Sequence, residues 1–253
     1  MSLETLVMLG AASYLTAVLS AVVGLAGGMT LLAAMLLFFD PLIALPLHGV
    51  IQLVSNGSRS WFQREHIEWW ILKYFGILMV PTAMVGLFVG RELSPGSLKL
   101  AIGVFVLLAT WRPSWLLFGV DPGSIDPRRR FLGLGGAIGF LNMTVGATGP
   151  FSAPFFLGLG LTRHALVGTK AAAQMLGHGV KVLLFAVSGF AFAEYGTGLL
   201  WLCACVVAGS YTGARLLDRL SESLFDKLYR GVLTVIALRL ILDPTWSALV
   251  GSP

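Results

Sequence analysis

The chain has 253 residues, of which 57% are apolar and 11% are charged. A soluble globular domain carries about 25% charged residues, so this composition excludes a soluble enzyme and predicts an all-α polytopic protein embedded in the lipid bilayer. The 17 basic residues outnumber the 12 acidic ones, an excess that in a membrane protein is typical of cytoplasmic loops, and we expect no nucleic-acid partner.

Ten apolar segments follow one another along the chain, and we predict a helix in each. They span residues 3–23, 29–39, 42–62, 71–90, 98–111, 131–145, 151–161, 165–190, 198–217 and 225–242. The second and the seventh are so short that as helices they would rise about 16 Å, half of a hydrocarbon core of roughly 30 Å. We therefore predict that these two segments are half-helices, either re-entrant or strongly tilted.

The two short segments each follow a Gly-rich break, GLAGG at 24–28 and GATGP at 146–150. The breaks are 122 residues apart, and the same offset aligns Gln52 with Gln174 and Arg59 with Lys181. We conclude that the chain is an internal duplication, with a first repeat at 1–115, a cytoplasmic linker at 116–130 and a second repeat at 131–253. About five segments per half is an odd number, which predicts that the second copy inserts upside down, as in the inverted repeats of secondary transporters.

The distribution of basic residues predicts the orientation. Most of them lie in the 112–130 connection and in loops that would share its side of the membrane. By the positive-inside rule that side is cytoplasmic, so both termini are predicted to be extracytoplasmic. Pairs of glycines at 86 and 90 and at 209 and 213 would let helices approach closely within the fold, and a homodimer contact is the alternative.

A polar stripe runs along each of the two long segments, the third and the eighth. With spacings of four, four and three, each stripe lies on one helical face; the stripes are His48, Gln52, Asn56 and Arg59, and Lys170, Gln174, His178 and Lys181. Ionisable groups facing lipid cost several kcal/mol, so we expect both stripes to face protein or water. Gln52 and Gln174 lie about ten residues into their helices, near the membrane midplane, where transporter sites are found.

We predict that the two stripes face each other and line a substrate cavity. The alternative is that their amides and histidines only hold neighbouring helices together. For Arg59 and Lys181 a further alternative is that they snorkel to the membrane surface.

The stripes contain cations and no carboxylate, which predicts a small anionic substrate. The half-helices would add backbone N–H groups at their N-termini, and hydroxyl groups lie nearby; these further candidates are Gly27, Gly149, Thr144 and Thr148, with Ser152 and Thr169 as weaker ones. A stripe histidine could also carry a coupling proton. The sequence has no P-loop ending and no metal-ligand spacing, so we expect no cofactor, no metal site and no catalytic residue.

These motifs resemble the TauE/SafE family of sulfite exporters and 4-toluenesulfonate uptake permeases. The resemblance covers nearly the whole chain: duplicated halves, a Gly-rich turn and a short helix in each, and the stretch GATGPFSAP at 146–154 that leads into VGTK at 167–170. Residues 25–28 read LAGG where the family typically has a glycine triplet. The resemblance implies export or uptake of sulfite, sulfonates or related anions in a bacterial inner membrane.

We therefore expect a secondary transporter that works by alternating access, with proton coupling as an option. The alternatives are an anion channel and a membrane protein with a purely structural or assembly role.

Overall fold

The computed structural model describes residues 1–23, 27–156, 158–216, 230–231 and 233–242, and the regular structure within these ranges is helical throughout. This confirms the predicted all-α class. In chain order the helices are α1 (Leu3–Val23), α2 (Gly27–Met35), α3 (Pro41–Phe62), α4 (Trp69–Ile77), α5 (Met79–Glu92), α6 (Pro95–Trp111), α7 (Pro127–Thr144), α8 (Gly149–Phe156), α9 (Arg163–Val187), α10 (Gly196–Leu216) and α11 (Leu233–Leu242). Residues 24–26 of the first Gly-rich break and 225–229 of the tenth predicted segment lie outside the described residues.

Several helices begin earlier than their apolar segments because capping residues precede them. Ser94 caps α6 by accepting a hydrogen bond from the Ser97 amide, and Asp126 caps α7 by accepting from the amides of Arg128 and Arg129. In both helices proline takes the first position, where the missing N–H costs nothing. The caps therefore start these helices three to four residues ahead of the hydrophobic run.

The predicted fourth segment is two helices rather than one. Helices α4 and α5 meet at Leu78 and are bent by 46° relative to each other. Pro81 lies in the first turn of α5 and has no amide hydrogen for the carbonyl group of Ile77, so the hydrogen-bond ladder cannot continue through this point. The bend therefore follows from a residue that the hydropathy pattern does not register.

Few of the described helices are long enough and apolar enough to cross a membrane. Among the described residues, the segments Leu3–Ala21 and Phe192–Gly213 meet that description, and the bent pair of α4 and α5 would be a third span. Each of the ten predicted apolar segments coincides with at least one helix, but most of these helices do not meet the description of a span. Helices α2 and α8 have only 9 and 8 residues, and the long helices α3 and α9 carry the polar stripes.

Helices α3 and α9 pack along each other, flanked by two outer pairs, α1 with α10 and α5 with α7. Glycines allow the two helices of each outer pair to pack closely against each other. A Cβ atom on Gly86 would lie 2.6 Å from the carbonyl oxygen of Phe140 in α7, and one on Gly213 would lie 2.6 Å from that of Val18 in α1. Both predicted glycine pairs thus serve packing inside the chain, and each outer pair joins one helix from each half.

Tryptophan side chains cover the outside of the structure. All six described tryptophans are exposed, by 37% to 66%: Trp61, Trp69, Trp70, Trp111, Trp115 and Trp201. Trp246 lies outside the described residues. The exposed positions agree with the interfacial belt that such residues form in membrane proteins.

Candidate functional site

A small polar cavity lies where α3 and α9 face each other. Its wall combines the polar stripes with the two Gly-rich turns: Ser20, Gly28, Met29, His48, Gln52, Arg59, Ala147, Thr148, Gly149, Gln174 and His178. We call this the central cavity. The N-terminal ends of both half-helices, α2 at Gly28 and α8 at Gly149, reach its wall.

The stripes point inward. Gln174 is half-buried, and the other seven stripe residues are at most 8% exposed. Arg59 and Lys181 are buried with them, so neither snorkels to the surface. A buried ionisable group in this position must be balanced by protein groups or by a guest.

The two stripe histidines meet in the central cavity. The imidazole rings of His48 and His178 have centroids 5.5 Å apart and are nearly perpendicular, at 79°. Nε2 of His48 forms a 2.8 Å hydrogen bond with the carbonyl oxygen of Gly28 at the start of α2, and a carbonyl can only accept, so this nitrogen is the donor. The Nδ1 atoms of both rings are buried and have no hydrogen-bond partner among the described residues.

A hydrogen-bonded chain orients Gln52. Arg59 donates to the carbonyl oxygen of Ser20 at 3.1 Å and to Oδ1 of Asn56 at 2.6 Å. The amide nitrogen of Asn56 then donates to the Gln52 backbone oxygen at 2.9 Å and to its Oε1 at 3.3 Å. Because the side-chain oxygen of Gln52 already accepts from Asn56, its NH₂ group is left as the donor for the cavity.

A second small cavity adjoins the first. Its wall is part polar and part aromatic: Phe75, Ile138, Asn142, Thr148, Ser152, Phe156, Lys170, Ala173, Gln174 and His178. We call this the side cavity. Thr148, Gln174 and His178 belong to both walls, so they form the partition between the two spaces.

Lys181 holds the second Gly-rich turn rather than lining a cavity. Its fully buried ammonium group donates to the carbonyl oxygen of Gly146 at 3.3 Å. Gly146 has φ +81, and a Cβ atom there would lie 2.7 Å from Leu32 and closer still to Leu45. Glycine is therefore required at this turn, and the lysine fixes the carbonyl group that precedes α8.

Four other candidate residues lie outside both cavity walls. Thr144 hydrogen-bonds within α7 to the Phe140 carbonyl at 3.2 Å, and Thr169 accepts from the amide of Glu68 at 2.9 Å. Gly27 lies so close to Thr16 and Ser20 that it packs α2 on α1. Asn56 acts on the cavity through Gln52.

Two polar wall residues were not predicted from the sequence, Ser20 in α1 and Asn142 in α7. Neither is charged, and neither belongs to the stripes. They are 122 residues apart, so the repeat offset could have identified them as a pair. Thr148 donates to Oδ1 of Asn142 at 3.3 Å, which again leaves an amide NH₂ group as the donor.

The cavity region has cations and no buried acid among the described residues. Each described Asp and Glu is exposed or half-buried. The two described salt bridges lie outside the cavities, joining Lys99 to Asp40 at 3.5 Å and Arg64 to Glu65 at 3.7 Å. The field inside the cavities is therefore set by basic side chains and by the N-terminal ends of the half-helices.

The family model "Sulfite exporter TauE/SafE" matches residues 9–240 of the chain. The match includes both stripes, both half-helices and both cavities. Neither the curated proteins nor the solved structures contain a match to this chain.

Proposed function

We propose that this chain, which belongs to the Sulfite exporter TauE/SafE family of transporters, moves a small sulfur oxyanion, sulfite or an organosulfonate, across the membrane as a secondary transporter. The observation that carries the proposal is the central cavity, where His48, His178 and Arg59 line one buried space. A guest with negative charge would balance these groups.

The donors of the central cavity suit an oxyanion. Gln52 offers an amide NH₂ group, and the unpartnered Nδ1 of each histidine becomes a further donor when its ring is doubly protonated. The start of α8 at Gly149 adds backbone N–H groups at the positive end of a helix dipole. Several donors converging from different directions match the oxygen atoms of a tetrahedral or pyramidal anion.

An inverted repeat would explain how the two halves build this site. Helices α3 and α9 correspond at the 122-residue offset, as do α2 and α8, whose first residues are Gly27 and Gly149. The outer pairs also correspond, because α1 with α10 is the counterpart of α7 with α5. In such an architecture a rocking motion of one half against the other opens a midplane site to each side in turn.

The membrane orientation and the coupling ion belong to the same proposal. Basic loops favour a cytoplasmic 112–130 connection and extracytoplasmic termini, and the family implies a bacterial inner membrane. The pair of His48 and His178 offers a place for one coupling proton, since two protonated rings at 5.5 Å would repel each other.

The partition between the cavities favours a transporter over an open pore. Thr148, Gln174 and His178 stand between two small spaces, and an anion would have to displace or pass them in steps. A channel would need a continuous path through this point.

Flux in proteoliposomes tests the proposal. The purified chain is reconstituted and offered radiolabelled sulfite, with sulfate, taurine, sulfoacetate and acetate as competitors. We expect uptake that saturates with concentration, accelerates when the same anion is preloaded, and is inhibited by sulfonates more than by acetate. Uptake no faster than in empty liposomes for every sulfur anion, or a flux that never saturates, would contradict it.

A further inference from the structure

Three polar positions in the wall of the central cavity correspond, at the 122-residue offset, to three in the wall of the side cavity. Ser20, His48 and Gln52 line the central cavity, and their partners at the 122-residue offset line the side cavity; those partners are Asn142, Lys170 and Gln174. Each cavity thus includes one polar residue from the first helix of a half, and a basic residue and a glutamine from the polar stripe of the same half.

The two sets offer the same chemistry. Each contains a basic side chain one helical turn before a glutamine, His48 with Gln52 and Lys170 with Gln174. Each set also has one amide side chain whose oxygen already accepts a hydrogen bond. Gln52 accepts from Asn56, and Asn142 accepts from Thr148. An amide held in this way presents its NH₂ group, which suits an anion and not a cation.

The side cavity is a buried site. Lys170 is 5% exposed, Ser152 is 4% exposed and Asn142 is 3% exposed, while Phe75 and Phe156 supply an apolar wall. A basic group next to aromatic side chains and away from water interacts strongly with an anion. The aromatic wall would also accept the carbon atoms of a sulfonate.

We propose that the side cavity is a second binding station for the same class of small oxyanion, so that one chain holds two anions, one in each cavity. The partition of Thr148, Gln174 and His178 separates them and places a histidine between the two negative charges. The inference rests on the proposed function, because it assigns the second station to the substrate of the first.

Equilibrium binding to the purified protein in detergent tests the proposal by counting sites. Radiolabelled sulfite and sulfoacetate are each titrated against the wild-type chain and against Lys170→Gln, Lys170→Arg and Lys73→Gln. We expect two saturable sites per wild-type chain and one in Lys170→Gln. Lys170→Arg should keep two because it keeps the charge, and Lys73→Gln should keep two because Lys73 is exposed.

The failure of this inference can be told apart from a failure of the proposed function. One site per wild-type chain, or two in Lys170→Gln, overturns the second station and leaves the transporter in place. No saturable binding of either anion overturns both. If Lys170→Gln does not fold, Asn142→Ala replaces it, and we expect the affinity of one site to weaken about tenfold, the loss of one charge-assisted hydrogen bond; an unchanged second affinity would overturn the inference.

Discussion

The imidazole rings of His48 and His178 face each other across the contact between α3 and α9, with centroids 5.5 Å apart. His48 comes from the first half of the chain and His178 from the second, and both side chains line the central cavity. If this pair carries the coupling proton, replacing one ring by an amide keeps a polar side chain of similar size and removes the proton site. Coupling and binding can therefore be separated by mutation.

We expect His178→Gln to move sulfite without moving protons. In proteoliposomes that contain a pH-sensitive dye, wild-type uptake should change the internal pH, and the variant should take up sulfite several-fold more slowly with no pH change. His66→Gln is the control, since His66 is exposed and lies outside both cavity walls. A wild-type pH response in His178→Gln would contradict the assignment.

Gly146→Ala is expected to destabilise the protein for two reasons: alanine disfavours the positive φ at this position, and the added Cβ atom would overlap neighbouring side chains. Its φ of +81 costs an L-residue about 1–2 kcal/mol, and the new Cβ atom would lie 2.7 Å from Leu32, which adds about 1–3 kcal/mol of overpacking. Gly158→Ala is the matched control, with φ +75 and open space around it. Thermal unfolding in detergent should show a larger loss for Gly146→Ala, and equal losses would contradict the role of this turn.

Arg59→Leu should unfold more easily and lose flux. The change leaves the Ser20 carbonyl and Oδ1 of Asn56 without their donor, at a cost of about 1–3 kcal/mol for each buried group. Arg59→Lys should recover part of the stability, since it restores the charge but not the two-pronged geometry. The exposed Arg64→Leu is the control and should change stability by less than about 0.5 kcal/mol. Equal stability of the three variants would contradict the buried network.

The outer helix pairs depend on glycine. A Cβ atom on Gly213 would lie 2.6 Å from the Val18 carbonyl oxygen, whereas one on Gly133 would have nothing within 4 Å. We therefore expect Gly213→Ala to force α1 and α10 apart and lower the unfolding temperature, and Gly133→Ala to leave it unchanged or raise it slightly. The same result for both variants would show that close backbone contact is not needed here.

The periodic pattern of apolar and polar residues predicted the helices that carry the candidate site. The first predicted segment, 3–23, matches α1 residue for residue, and the two polar stripes lie on helices that pack along each other, α3 and α9. Helix starts were missed by a few residues where caps such as Ser94 and Asp126 lie outside the apolar run. The bend at Leu78 was missed because it depends on one hydrogen bond that Pro81 cannot make.

The partners of the buried cations could not be predicted. The stripe pattern shows that Arg59 and Lys181 are on the same faces as the glutamines, but not that Arg59 reaches the carbonyl group of Ser20 or that Lys181 reaches Gly146. Those contacts depend on where α1 and the Gly-rich turn pack against the stripes, which is tertiary information. Asn142 was missed for the same reason, although the repeat offset pairs it with Ser20.

The central claim is that the two stripes meet to bind an anion, and the most direct measurement is sulfite flux through the double variant Gln52→Leu with Gln174→Leu. Both residues line the central cavity, and leucine keeps their bulk while removing every amide donor. With folding verified by size-exclusion chromatography and thermal unfolding, we predict flux at the level of empty liposomes. Wild-type flux through the folded double variant would contradict the account.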